Sequence, residues 1–211
     1  MATTTPNYGW PVPTSTDLVK NGATAIEALG DAIDSTVFGL GSSGFTLIST
    51  TTIGSAVSSI VVSNCFSASY DVYKIYITAP TSVSANQELR MRLRTGSTSA
   101  TGGNYYYLGY NATTSGLNHD TNSTQTSFIV SKTGSATPSY SAIELTLLEP
   151  FAANTTKFLT NIIGTDSSLA TRRGFNFGGF HDVATSYESL EFVTDTGTIT
   201  GGKIRVYGLK N

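Results

Sequence analysis

Three arginines at alternate positions are the first residues in the chain that could bind a ligand. The segment "ELRMRLR" contains Arg90, Arg92 and Arg94, and on a strand alternate side chains share one face. At about 3.3 Å per residue this stripe is about 13 Å long. Guanidinium groups so placed could hold carboxylates or acidic sugars through paired hydrogen bonds. The alternative is that they pair with another subunit or with carboxylates on neighbouring strands, namely Glu144, Glu188 and Glu191.

Four tyrosines form the second candidate. The segment "GGNYYYLGYN" contains Tyr105, Tyr106, Tyr107 and Tyr110 between glycines. Aromatic rings on a polar, glycine-rich part of a sheet suit stacking on the sugars of a host-surface glycan. They suit core filling equally well, because alternate tyrosines of a strand must face inward. Both interpretations remain open at this point.

No group of residues in the sequence predicts catalysis or a metal site. His119 and His181 each precede an aspartate, but neighbours on a strand point to opposite faces, so neither pair predicts a catalytic dyad. Cys65 is the only cysteine, which leaves no cysteine-built metal site, and its apolar neighbours predict a buried, inert thiol. No nucleophile elbow or phosphate loop is present. We therefore predict a non-enzymatic protein with no cofactor and no metal.

Composition favours strands and argues against two classes of partner. Of the 211 residues, only 12% are charged while 39% are hydrophobic, and the abundant Thr, Ser and Gly suit strands and turns. The net charge of −2 gives no general attraction to nucleic acid or to a membrane surface. No apolar run reaches the length of a transmembrane helix, so membrane insertion is not expected.

Residues 45–211 are predicted to form the body of the protein. Short alternating runs such as "YDVYKIYIT", "YSAIELTLLE" and "KIRVYGL" are separated by turn residues, a pattern typical of antiparallel strands. They are too many for one flat sheet and show no βαβ spacing. We predict a mainly β fold, with a jelly-roll-like antiparallel β-sandwich at 45–211.

Residues 1–44 have a different pattern. Three of the six prolines and the only tryptophan, Trp10, fall within the first thirteen residues. We predict an extended docking arm at 1–15, with Tyr8 and Trp10 as anchors in a partner's groove. An amphipathic helix is predicted at 16–38, capped by Thr16 or Asp17, followed by a Gly/Ser hinge at 39–44.

The predicted helix has one apolar stripe. Its members are spaced by three, four or seven residues, as one helical face requires, and are Val19, Ile26, Leu29, Ile33 and Val37. A lone helix that contains glycines needs a partner to be stable. That partner is the chain's own β-domain, the same helix of other copies in a short parallel trimer, or another surface of a neighbouring subunit.

Both ends of the chain resemble a known group of proteins. "TPNYGWPVPTSTDLVKNGATAIEALGDAID" is similar to the start of many small tailed-bacteriophage virion surface proteins. "GGKIRVYGLKN" resembles the closing strand of the same group, and "TLISTTTIGSAVSSIVV" and "YDVYKIYI" resemble its first strands. The resemblance implies a homotrimer in the virion, assembled in the bacterial host cytoplasm, in which an N-terminal segment binds other virion proteins of the capsid or tail.

The resemblance leaves the type of virion protein open. One interpretation is a tail-fibre or receptor-binding protein whose outer domain binds host glycan. Another is a capsid decoration protein, of the cement or head-fibre kind. A free carbohydrate-binding module, and an enzyme such as a depolymerase, are the further alternatives.

Overall fold

The computed structural model describes residues 3–15, 18–41, 44–78, 80–82, 87–113, 116–133, 142–165 and 172–210. The chain divides into two compact units, residues 1–44 and 45–211. No helix among these residues is long and apolar enough to cross a membrane.

The first unit begins with a hairpin. Strands β1 (Thr3–Thr4) and β2 (Pro11–Val12) pair antiparallel. Within the loop, the amide of Thr5 donates to the carbonyl of Trp10 over 2.9 Å, and Gly9 has a φ of +66°, a conformation that glycine adopts without strain. The predicted extended arm is therefore wrong in conformation, because Pro6 and Gly9 fold the chain back on itself.

The helix begins and ends later than predicted. A 3-10 turn at Val19–Asn21 leads into α1, which spans Gly22–Gly41. The proposed caps at Thr16 and Asp17 lie outside the described residues, as do Ser42 and Ser43 of the predicted hinge. The first part of that hinge, Gly39–Gly41, is helical, because a glycine weakens a helix by only about 1 kcal/mol and does not end it.

The described part of the second unit contains fifteen strands. In chain order they are β3 (Phe45–Thr52), β4 (Ser59–Val62), β5 (Tyr70–Thr78), β6 (Thr81–Ser82), β7 (Gln87–Thr95), β8 (Thr98–Ser99), β9 (Tyr105–Thr113), β10 (Gly116–Gln125), β11 (Phe128–Thr133), β12 (Ala142–Leu148), β13 (Asn154–Thr165), β14 (Arg172–Thr185), β15 (Ser189–Thr194), β16 (Ile199–Thr200) and β17 (Lys203–Lys210).

These strands form two main antiparallel sheets. The larger sheet has eight strands in the order β10-β9-β14-β13-β12-β5-β17-β3, and the smaller has the order β11-β7-β15-β4 with β8 added beside β7. Strands β6 and β16 pair separately. Every pairing is antiparallel, and the prediction of a mainly β, antiparallel sandwich with one helix is confirmed.

The hydrophobic core lies between the two main sheets. Phe128 of the smaller sheet packs on Phe158 of the larger one, with ring centroids 3.3 Å apart, and on Tyr107 at 5.7 Å. Leu89, Met91 and Leu93 of β7 are completely buried, so the alternation predicted for "ELRMRLR" is confirmed. The outer faces of both sheets carry the side chains that are available for binding.

Candidate functional site

The arginine stripe lies on the outer face of the smaller sheet, and other protein groups already bind it. Arg90 forms an ion pair with Glu88 at 2.6 Å. Arg94 lies 3.5 Å from Glu191 and donates to Ser99 over 2.7 Å. Arg92 is opposite Glu191 in the strand register and donates to the carbonyl of Thr126 over 3.3 Å.

This network agrees with the intramolecular alternative for the stripe. Of the carboxylates expected from the sequence, Glu191 is one partner, while Glu144 instead pairs with Lys74. To bind an anionic ligand, Arg94 would have to break its contact with Glu191. Both of these side chains are largely buried. The stripe is therefore a weak candidate for a ligand site.

Strand alternation divides the four tyrosines into two pairs. Tyr105 and Tyr107 point into the core and are buried, so the prediction that they contact a ligand does not fit the structure. The hydroxyl of Tyr105 accepts a hydrogen bond from the amide of Leu93 over 2.9 Å, and burial raises the pKa of this phenol. Tyr106 and Tyr110 lie on the outer face, where Tyr110 is 57% exposed.

The outer face of β10, β9 and β14 contains a groove of about 600 Å³. Its lining comprises aromatic and aliphatic side chains, glycine backbone and three polar residues, namely Tyr106, Tyr107, Leu108, Thr121, Asn122, Ser123, Gly178, Gly179 and Phe180. Tyr106 and Phe180 are directly opposite in the strand register. Their rings stack with centroids 5.0 Å apart and planes inclined by 21°.

Two adjacent glycines of β14 shape this groove for different reasons. Gly178 faces outward between Leu108 and Leu159 in the strand register, and a Cβ atom there would lie 3.1 Å from Cδ2 of Leu159. Gly179 faces inward, where a Cβ atom would overlap the backbone oxygen of Tyr106 and lie 2.6 Å from the ring of Phe158. Glycine at 179 thus allows β14 to pack closely, and glycine at 178 keeps the surface of β14 open.

A buried histidine lies beneath the aromatic pair, one residue after Phe180. The Nε2 atom of His181 is 2.8 Å from the hydroxyl of Tyr187, and its ring centroid is 4.2 Å from that of Tyr105. Burial lowers the pKa of His181, against the opposing effects of the Asn104 backbone and the Asp182 carboxylate. The imidazole is therefore a neutral part of the core.

Apolar and polar side chains continue across the outer face beyond the groove. Leu159 and Ile163 of β13 are 55% and 67% exposed. Asn176 donates to Asn161 over 2.5 Å. Neither asparagine was singled out from the sequence, since their pairing depends on the register between β13 and β14.

The predicted docking residues of the first unit fall into two groups. Trp10 contacts α1 of its own chain, since its indole Nε1 donates to the Thr36 hydroxyl over 2.9 Å, and Tyr8 stacks on Trp10 with centroids 5.2 Å apart. Of the apolar stripe, Leu29 and Ile33 are half-buried. Its other three members are exposed, namely Val19, Ile26 and Val37.

These positions change the interpretation of Trp10. The sequence suggested that Trp10 must be buried against a partner. In the structure it packs on the helix of its own chain. The Thr36 hydroxyl accepts the indole N–H and in turn donates to the carbonyl of Ala32 over 2.8 Å. Whether Tyr8 and Trp10 also contact a partner stays a prediction.

The described residues contain no group of three or more His, Cys, Asp or Glu side chains that could hold a metal ion. Burial raises the pKa of the Cys65 thiol to about 12, so this cysteine remains protonated and unreactive, as its apolar neighbours predict.

No family model, curated protein or solved structure matches the chain.

Proposed function

We propose that the chain is a non-enzymatic structural protein of a bacteriophage particle. In this proposal the unit 1–44 fixes the protein to the particle and the β-sandwich is displayed outward. The observation that carries the proposal is the exposed apolar stripe of the first unit. Ile26 and Val37 on α1 are 65% and 57% exposed, and Val19 in the preceding 3-10 turn is 96% exposed.

The spacing of this stripe favours contact with other helices. Ile26 and Ile33 are seven residues apart and Val37 follows four later, which is the spacing of a coiled-coil seam. Burying such a stripe against copies of itself would stabilise a helix that contains glycines. The spacing therefore supports association of this helix with copies of itself, and the resemblance gives the number of copies as three.

The assignment to a phage particle derives from the resemblance at both ends of the chain. We favour the tail-fibre or receptor-binding type, because the sandwich has an exposed groove on its larger sheet. Capsid decoration is the alternative, and it uses the same attachment by the first unit.

The test is particle association of two charge variants on opposite sides of α1. Ile26→Asp places a carboxylate in the stripe. Ser35→Asp adds the same charge at an exposed position on the other side of the helix, given about 100° per residue. Particles assembled with each variant are banded on a density gradient, and the protein in the band is measured by immunoblotting.

We expect wild-type protein and Ser35→Asp to band with the particles. Ile26→Asp should be lost from the band while its circular dichroism still shows a folded sandwich. Absence of the wild-type protein from the particle band would refute the proposed function. Equal binding of both variants would show that this helix face does not attach the protein.

A further inference from the structure

The groove on the outer face of β10, β9 and β14 has the composition of a site for an uncharged ligand. None of its nine lining residues carries a formal charge. Its volume of about 600 Å³ falls in the usual range for small-molecule sites, about 300–1,000 Å³. The lysine in register with Phe180 is Lys157, which Glu149 holds in an ion pair at 2.5 Å.

One part of the groove is an aromatic surface. Tyr106 and Phe180 support each other by stacking, and both project from strands inside the larger sheet, so their positions are fixed before a ligand arrives. The face of an aromatic ring is electron-rich. It therefore attracts the weakly positive C–H groups that cover one face of a sugar ring.

The opposite part of the groove supplies hydrogen-bonding groups. Thr121 and Ser123 lie two residues apart on β10 and share the outer face, since Thr121 is opposite the outward Leu108 in the strand register. Asn122 is opposite the inward Tyr107, so its side chain faces the other side of the sheet. Hydroxyl groups both donate and accept, as those of a sugar do. Leu108 and Gly178 complete the lining, and both are in register with Thr121 across the three strands.

We propose that this groove binds a neutral carbohydrate, with one sugar ring against the Tyr106–Phe180 pair and its hydroxyl groups directed towards β10. A neutral sugar matches an uncharged lining that combines an aromatic surface with the hydroxyl groups of Thr121 and Ser123. Acidic sugars would find no cationic side chain among the lining residues. The proposal goes beyond attachment to a particle, since it concerns a surface of the free protein.

The most direct competitor for this surface is a second copy of the chain. Leu108, Leu159 and Ile163 are exposed on the same face, and exposed apolar side chains also favour contacts between subunits. The self-association state of the protein must therefore be measured together with sugar binding.

Two pairs of variants test the groove. Tyr106→Ala removes half of the aromatic surface, and Tyr110→Ala removes an outward tyrosine of the same strand that does not line the groove. Gly178→Val fills the groove, since its Cβ would be 3.1 Å from the terminal Cδ2 of the exposed Leu159 side chain, which can move. Gly174→Val is its control on β14, where a Cβ would be 3.9 Å from the nearest atom, the carbonyl oxygen of Ile162.

Recombinant full-length protein, without particles, is applied to a printed array of neutral hexose oligosaccharides and matching uronic-acid oligosaccharides. The neutral sugar that gives the strongest signal is then titrated by calorimetry. Analytical ultracentrifugation at the same concentrations gives the oligomeric state of the wild type and of each variant.

We expect saturable binding to neutral oligosaccharides and none to the acidic set. Tyr106→Ala and Gly178→Val should each weaken binding by about tenfold or more, while Tyr110→Ala and Gly174→Val bind as the wild type does. Absence of neutral-sugar binding, or equal binding by all four variants, would overturn the proposal. A loss of self-association in the two groove variants, without sugar binding by the wild type, would identify the face as a subunit interface.

These outcomes are independent of the proposed particle role. A protein that bands with particles but ignores sugars would retain the proposed function and lose this inference. A protein that binds sugars but never bands with particles would retain this inference and lose the proposed function.

Discussion

His181 makes the stability of the sandwich depend on pH. Its neutral imidazole is buried against Tyr187 and Tyr105, and burial lowers its pKa below the ordinary histidine value, which is about 6.5. As the pH falls through that value, the unfolded chain binds a proton that the folded protein does not. The free energy of unfolding must therefore decrease over this interval, and the loss stops below the lowered pKa of the folded state.

We predict that lowering the pH from about 7.5 to about 5 decreases the melting temperature of the wild type more than that of His181→Gln. This interval brackets the ordinary histidine pKa. Melting is followed by circular dichroism, which reports mainly on the strands. His119→Gln, at an exposed position on β10, is the control, and its melting temperature should decrease as much as that of the wild type. Equal losses in all three proteins would contradict the role given to His181.

Thr36 is the residue that connects the hairpin to the helix. Replacing it by valine removes the acceptor for the indole N–H of Trp10, and a lost hydrogen bond of this kind costs about 1 kcal/mol. We predict that Thr36→Val lowers the free energy of unfolding of the first unit by about that amount. Thr36→Ser keeps the hydroxyl and should restore most of it.

Tryptophan fluorescence measures this effect directly. Trp10 is the only tryptophan in the chain, so its emission during urea unfolding reports on the first unit alone. The transition of Thr36→Val should occur at lower urea concentration than those of the wild type and Thr36→Ser. Coincident transitions for all three would show that the hydrogen bond does not stabilise the unit.

The sequence predicted the strands better than the hairpin. In β7 the strict alternation of apolar and charged residues predicted which side chains are buried, since a strand in a sandwich has one face in the core. In residues 1–15, the prolines and Trp10 were interpreted as an extended arm. The turn formed by Pro6 to Gly9 depends on a positive φ at Gly9, and a glycine alone does not reveal which φ it adopts.

The groove could be predicted only in part. The sequence made the run of tyrosines a candidate, but alternation alone does not say which pair faces outward. In the structure Tyr105 and Tyr107 are buried in the core. The partners of Tyr106 come from β14 and β10. These strands are joined to β9 by a register that no local pattern in the sequence specifies.

The second unit contains a complete core of its own. Its buried hydrophobic cluster runs from Ile53 to Val206. The last strand, β17, lies inside the larger sheet between β5 and β3. This topology connects β17 to strands from earlier in the same unit.

We therefore predict that a fragment of residues 45–211 folds by itself. Its circular dichroism should show a β-sheet spectrum, and its melting temperature should lie within a few degrees of the main transition of the full chain. Removing Lys203–Lys210 from the same fragment should abolish the transition, because β5 and β3 then lose the strand between them. A fragment 45–211 that remains unfolded would contradict the division into two units.

The central claim is that the sandwich is displayed from a phage particle to which the first unit fixes it. Immunogold electron microscopy of intact particles, with an antibody raised against residues 45–211, tests this most directly. We predict gold label on intact particles, at the tail for a receptor-binding protein or over the head for a decoration protein. Unlabelled particles, with the antigen found only in the particle-free fraction of the lysate, would contradict it.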